Sequence, residues 1–304
     1  MSASVIISTY SINQLPLVET CLSSLKKQTR TPNEIILVLD SNKEVIEFYR
    51  ERLPNIKVID SGGFGLSKAR NAGVKNSQYN IVVFIDDDAY AEVNWLEEIV
   101  KALDQPENVG VGGPIIPDWE KARPDWFPEE LDWVVGCTYK GQPNEKSMIR
   151  NPIGANMAFK KEIFTKIGYF KEGIGRVGTK LLGSEETEFS IRLYKSLPNV
   201  KIVYTPNAIV HHRVNKKRSK INYLINRTYY EGVSKSLLSN TKMNSNSFKT
   251  ENAYFNYIFL NAIPQRLIKI YQLKNVKQIL VLLLAVLSVG VGYIRGKFIT
   301  IEQK

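Results

Sequence analysis

Three consecutive carboxylates, Asp86, Asp87 and Asp88, follow at once on the apolar run NIVVFI at residues 80–85. Carboxylates side by side repel one another, and a divalent cation relieves that cost. Mg2+ and Mn2+ favour oxygen ligands, and Mg2+ usually takes one or two carboxylates together with phosphate oxygens. In an extended chain Asp86 and Asp88 point the same way, so one can face a nucleoside and the other the metal. A solvated turn that caps the next helix would use the same residues. Their setting argues for a binding site, because Asp40 also ends an apolar run and Lys68 and Arg70 supply cations.

Other segments carry further chemistry. In Gly65-Leu66-Ser67-Lys68-Ala69-Arg70-Asn71-Ala72-Gly73, the spacing puts Ser67, Arg70 and Asn71 on one helical face. Arg70 offers a planar fork for carbonyls or phosphate. Gly183-Ser184-Glu185-Glu186-Thr187-Glu188-Phe189 reads as a helix start, with Ser184 as N-cap and acids where the helix dipole favours them. A carboxylate there can also take a proton from an attacking hydroxyl. His211 and His212 are the only histidines. On a strand they point to opposite sides, so at most one reaches a metal, and imidazole suits Mn2+ better than Mg2+. The stretch Trp119 to Trp133 is rich in Trp, Pro and acids. It reads either as a lid that stacks on sugars or as a loop that packs on the core.

The elements that must position these groups alternate. Apolar runs at 4–9, 34–39, 56–59 and 80–85 predict strands, and segments 17–27, 43–53, 66–76 and 92–103 predict helices. Continuous apolar strands between helices imply a parallel sheet covered on both faces. Ligands of such sheets bind beyond the carboxyl ends of the strands. Thr9-Tyr10, Asp40 and Asp86 to Asp88 all stand at such ends. Phosphatases with an Asp-x-Asp nucleophile place it after the first strand, whereas Asp86 follows the fourth. Farther on, 109–116, 156–159, 201–204 and 208–211 predict strands, and 163–170, 184–196 and the chain from 221 onward predict helices.

The 304 residues are enough for one large domain, or one domain with an appendage. The two cysteines, Cys21 and Cys137, lie far apart and read as reduced, buried thiols. The net charge of +11 comes largely from the C-terminal third, with a basic cluster from Arg213 to Lys220. No secretory signal is evident at the N-terminus. Ile279 to Ile294 is uncharged and bounded by Lys277 and Arg295. It is slightly short for a span of ~20 residues, with a buried core helix as the other reading. Tyr254 to Ile263 has the composition of a membrane-interface segment.

Together, Ser8-Thr9-Tyr10, Asp40, Gly65 to Gly73 and Phe84-Ile85-Asp86-Asp87-Asp88 resemble the nucleotide-sugar half of family-2 glycosyltransferases, over roughly residues 3–215. Gly154-Ala155-Asn156-Met157-Ala158-Phe159 is similar to that family's strand beneath the donor sugar, and Glu185-Glu186 to its Glu-Asp motif, with Glu in place of the usual Asp. The resemblance implies an α/β GT-A (Rossmann-like) mixed sheet flanked by helices at 1–220, and the helical, apolar pattern beyond it predicts a C-terminal helical membrane-associated region at 221–304 with a membrane segment near 279–294. It implies a nucleotide-sugar site of Thr9, Tyr10, Asp40, Lys68, Arg70, Asn71, Asp86, Asp87, Asn156 and Glu185. Asp88 and His211 would bind Mn2+ or Mg2+, and Glu186 would be the catalytic base. The expected activity is inverting, metal-dependent transfer from a UDP-sugar to a lipid-linked sugar or polysaccharide precursor, at the cytoplasmic face of the cell membrane and without nucleic acid. The alternative is a membrane-tethered nucleotide-sugar-binding scaffold without turnover.

Overall fold

A computed structural model describes residues 1–175, 181–239 and 249–298. The chain opens with the expected alternation: β1 (Ala3–Thr9), α1 (Leu15–Lys26), β2 (Glu34–Leu39), α2 (Lys43–Arg52), β3 (Lys57–Asp60), α3 (Leu66–Asn76) and β4 (Ile81–Asp86). It continues through β5 (Ala89–Ala91), α4 (Trp95–Ala102), β6 (Asn108–Gly112), β7 (Ile115–Trp119), β8 (Ser147–Met148), β9 (Asn156–Lys160), α5 (Glu162–Ile167), α6 (Glu185–Ser196), β10 (Lys201–Tyr204) and β11 (Val210–Val214). Helices follow: α7 (Ile221–Ser239), α8 (Lys249–Tyr257), a π-helical stretch Ile258–Ala262, α9 (Ile263–Leu267) and α10 (Leu273–Lys297).

The chain forms two compact units. The described residues of the first are 1–118, 143–175 and 185–213, and those of the second are 119–142, 181–184, 214–239 and 249–298. The tryptophan-rich loop thus groups with the C-terminal helices, not with the sheet it follows in sequence.

In the first unit an eight-stranded sheet runs β3-β2-β1-β4-β9-β6-β10-β8. β1 to β4 are mutually parallel, as the continuous apolar runs require. β9 then enters antiparallel between β4 and β6, which makes the sheet mixed. Both faces are covered. Val5, Ile7, Val83 and Ile85 pack into one apolar layer with α1, α2 and α4. Their alternating neighbours Ile6, Val82 and Phe84 pack into the other with residues of α3, α5 and α6. Cys21 and Cys137 are both buried, as expected.

Two of the expected strands are placed differently, and β5 and β8 add to those expected. The run 109–116 breaks at Gly113-Pro114 into β6 and β7, which enter different sheets. A Cβ at Gly113 would collide with the Ala208 carbonyl, so the chain passes there only as glycine. The strand expected at 208–211 lies at Val210–Val214 and pairs antiparallel with β5, carrying both histidines into its middle.

In the second unit the loop is bolted to the helices by buried polar groups. Glu130 is fully buried and forms a two-pronged pair with Arg266 (3.1 and 2.7 Å). Arg266 also donates to Gln278 Oε1 (2.8 Å), and Gln278 Nε2 donates to the Asp125 carbonyl (2.9 Å). Trp133 donates to the Tyr254 hydroxyl, which donates onward to the Glu130 carbonyl. The Tyr254 hydroxyl is thus engaged within the protein, while Phe259 and Leu260 of the same segment are exposed. Trp119 packs edge-on against Phe127, beneath the Arg123 guanidinium.

α7 and α10 touch through glycines. A Cβ on Gly232 would strike the Val289 carbonyl, and one on Gly292 would strike the Tyr229 carbonyl. Small residues at four-residue spacing allow this approach on both helices (Gly232 and Ser236; Ser288, Gly292 and Gly296). Gly292→Val should force the helices apart and cost about 1–3 kcal/mol, as overpacking does. A thermal or denaturant midpoint unchanged from wild type would contradict the seam.

Candidate active site

The site is built at the carboxyl ends of β1, β2 and β4, from α3, and from the start of α6. Gly65 stands at the N-cap of α3, and its φ of 113° suits glycine. Beside Ala69 and Val74, its buried side carries three polar side chains, and each of them finds a partner. Ser67 donates to the Ile174 carbonyl (2.8 Å). Asn71 donates to the Phe170 carbonyl and accepts from the Phe170 amide (2.8 and 3.0 Å). Between them lies Arg70, only 3% exposed.

Arg70 is the hub. One nitrogen, Nη1, reaches Oε1 of Glu185 and Oε1 of Glu186, each at 3.0 Å. Nη2 lies 3.7 Å from Asp86 Oδ1. Burial works against the cation, but Glu186, Glu185 and Asp86 outweigh it, so its pKa is raised. Gly154 passes directly beneath. A Cβ there would collide with Arg70 Nη2 and Glu186 Oε1. The carboxylates differ in access: the Glu185 side chain is 5% exposed and that of Glu186 14%. Glu186 Oε2 has no hydrogen bond among the described residues. Ser184, expected to cap α6, instead has a φ of 79°, a strained conformation for a residue with a side chain. Its buried hydroxyl finds no hydrogen-bond partner among the described residues.

The aspartate run splits by direction. Asp87 turns inward and accepts from the Thr9 hydroxyl at 2.6 Å, tying the end of β1 to the turn after β4. Asp86 and Asp88 lie with His212, one ligand atom from each within 4.8 Å of the others. This corrects the expected pairing of Asp88 with His211. His212 Nε2 is 3.1 Å from Asp88 Oδ1 and the ring is buried. His211 faces the other way, stacked on Tyr90 and 3.1 Å from Glu92 Oε1. The alternation of Val210, His212 and Val214 as the buried side of β11 carries the signal that separates the two.

The remaining expected residues divide. Tyr10 is exposed beyond β1, and Lys68 lies against Gly63. Asp40 accepts the Gly65 amide, and burial raises its pKa, with Asp60 adding to the effect. Asn156 is 1% exposed: it accepts from Trp95 Nε1 and donates both amide hydrogens, to the Pro114 and Ala208 carbonyls. In this way it holds the strands together. Asn71 and Thr9 are likewise committed to the scaffold.

The comparisons with known proteins agree with this architecture. The model of Glycosyl transferase family 2 matches residues 4–168, more than half of the chain. The chain is 30% identical to the glucosyl-dolichyl phosphate glucuronosyltransferase of Haloferax volcanii over 304 residues, 97% of this chain and 96% of that one. It is 34% identical over 168 residues to the uncharacterized glycosyltransferase EpsJ of Bacillus subtilis, 54% of this chain and 41% of that one. Among solved structures, GalNAc-T7 with UDP, GalNAc and Mn2+ aligns with a TM-score of 0.54 at 16% identity, over 84% of this chain and 58% of that one, a likeness of fold. The chain belongs to glycosyl transferase family 2, with the GT-A fold, and it is a glycosyltransferase.

Arg70 offers the sharpest check of the site geometry. Arg70→Met removes the cation that Glu185 and Glu186 share. Breaking such a buried pair by losing one partner costs about 3–5 kcal/mol. Arg70→Lys keeps the charge without the fork and should restore part of the stability but little of the activity. Full activity in Arg70→Lys would show that the fork is not needed.

Proposed function

We propose that this enzyme is an inverting, metal-dependent transferase that moves a hexuronosyl group from a UDP-sugar to a polyprenyl-phosphate-linked hexose at a membrane. The observation that carries the reading is Arg70, which holds the aspartate run and the glutamate pair in one cluster. Near-full-length similarity to a glucosyl-dolichyl phosphate glucuronosyltransferase supports the donor and acceptor classes.

The ligand set fits a divalent cation: Asp86 and Asp88 offer hard oxygens and His212 an imidazole, with their ligand atoms mutually close. A cation held there would offset the charge that builds on the departing diphosphate. Tyr10 and Asp40 stand at adjoining strand ends, where they would flank the nucleoside, and Lys68 adds a cation to that side. Glu186 is the base. Its Oε1 is fixed by Arg70, and Oε2 takes the proton of the acceptor hydroxyl as that oxygen attacks the anomeric carbon. Attack from the side opposite the diphosphate inverts the anomeric configuration. Glu185, less exposed, serves to position the shared guanidinium.

Transfer of labelled hexuronic acid from its UDP-sugar to a polyprenyl-phosphate glucose, with Mn2+ or Mg2+, tests the reading. Glu186→Gln should lower kcat by about 10²–10⁴ with little change in donor binding, the range of a lost general base. Asp88→Asn and His212→Ala should raise the metal concentration needed for half activity. Undiminished turnover in chelator, or a product with retained anomeric configuration, would defeat the metal or the inverting step respectively.

A further inference from the structure

α10 is the one helix among the described residues that is long and apolar enough to cross a membrane. Its surroundings argue for a different use. α7 and α10 run parallel, since Ile225 lies beside Ser288, Tyr229 beside Gly292 and Ser236 beside Gly296. At those levels α7 carries Arg227, Glu231 and Lys235, joined as Arg227–Glu231 (2.9 Å) and Lys235–Glu231 (3.3 Å) and continued by Lys235–Glu251 (2.6 Å). The first half of α10 is backed just as firmly, through Gln278, the Asp125 carbonyl and the Arg266–Glu130 pair. If α10 stood upright in a bilayer, this ionic framework would have to enter the hydrocarbon with it. Charged groups at that depth are rare and costly.

The other side of α10 is a single apolar stripe. Leu273, Leu280, Leu287 and Ile294 repeat every seven residues, flanked by Val291 and Phe298, and all six are 59–77% exposed. The stripe is about 37 Å long at 1.5 Å per residue. Exposed Ile268 and Tyr271 extend it before the helix begins. Cations stand at both ends, Lys274 and Lys277 at one and Arg295 and Lys297 at the other, and the helix holds no acid. A spanning helix would put one cationic end on each side of the membrane. A helix lying flat presents both to the same anionic headgroups.

We infer that α10, with the turn before it, lies in the plane of an anionic phospholipid surface as a one-sided anchor and does not cross. This deepens the membrane part of the proposed function and can be tested without turnover. In the full-length protein, Lys274→Cys and Lys297→Cys are introduced separately, the native Cys21 and Cys137 being buried. Membrane vesicles of either orientation are then treated with an impermeant maleimide. The expected result is that both positions react from the same side. Reaction from opposite sides, or at neither position from any side, overturns the inference. In flotation with phosphatidylglycerol vesicles, Leu280→Glu with Leu287→Glu should weaken binding at least tenfold. Wild-type protein that fails to float with them also overturns it. Loss of transferase activity with same-side labelling intact would instead count against the proposed reaction alone.

Discussion

A single buried guanidinium sets the terms for the catalytic unit. Arg70 must be charged where water is excluded, so it needs acids, and it finds them at the end of β4 and the start of α6. Those acids are far apart in sequence, and the cation brings their segments together. The constraint spreads outward. Gly154 can carry no side chain, because the guanidinium and Glu186 occupy that space. Gly175, at a φ of 100°, makes similar room for Glu185. The polar inner face of α3 follows too, since Ser67 and Asn71 hold the segment that leads toward α6. A buried pair of this kind adds little net stability but is costly to break. It therefore acts chiefly to define one arrangement of carboxylates.

Much of this was legible in the sequence where local rules decide the outcome. The apolar runs gave β1, β2 and β4, and the strand-end rule put Asp40 and Asp86 to Asp88 on one edge. The spacing of Ser67, Arg70 and Asn71 gave one face of α3. What spacing could not tell is what that face meets. Thr9 and Asp87 read as ligand-binding residues, yet they bind each other across 78 positions. Asn156 read as a residue beneath the sugar, yet it closes three hydrogen bonds to backbone and Trp95. A polar side chain beside a ligand and one that satisfies a distant carbonyl look alike in sequence, because burial demands a partner without naming it. His212 is different. The alternation in β11 would have identified it, had the strand been placed two residues later.

The C-terminal helix shows the same limit from the apolar side. Hydropathy sums side chains around a helix and is blind to what stands behind it. In α10 Gly292 and Gly296 face α7, together with buried Ala285 and Leu282, while Leu280 and Leu287 face out. The mean hydropathy of the helix thus mixes a packing seam with an exposed stripe. Only the seam's partner, with its Arg227–Glu231–Lys235 chain, shows that this side is protein.

The use of Glu at position 186, where the family resemblance expects Asp, now has a physical account. In the proposed role as base, the carboxylate must do two things: stay on Arg70 and reach an acceptor hydroxyl. Oε1 meets the first demand at 3.0 Å from Nη1, and it lies in the space that Gly154 leaves open. An Asp from the same backbone would be one methylene short of the guanidinium. The longer side chain spans the distance and leaves Oε2 without a competing hydrogen bond among the described residues. Side-chain length at 186 and the absence of a side chain at 154 are thus two halves of one fit, and a change in either should be felt through the other.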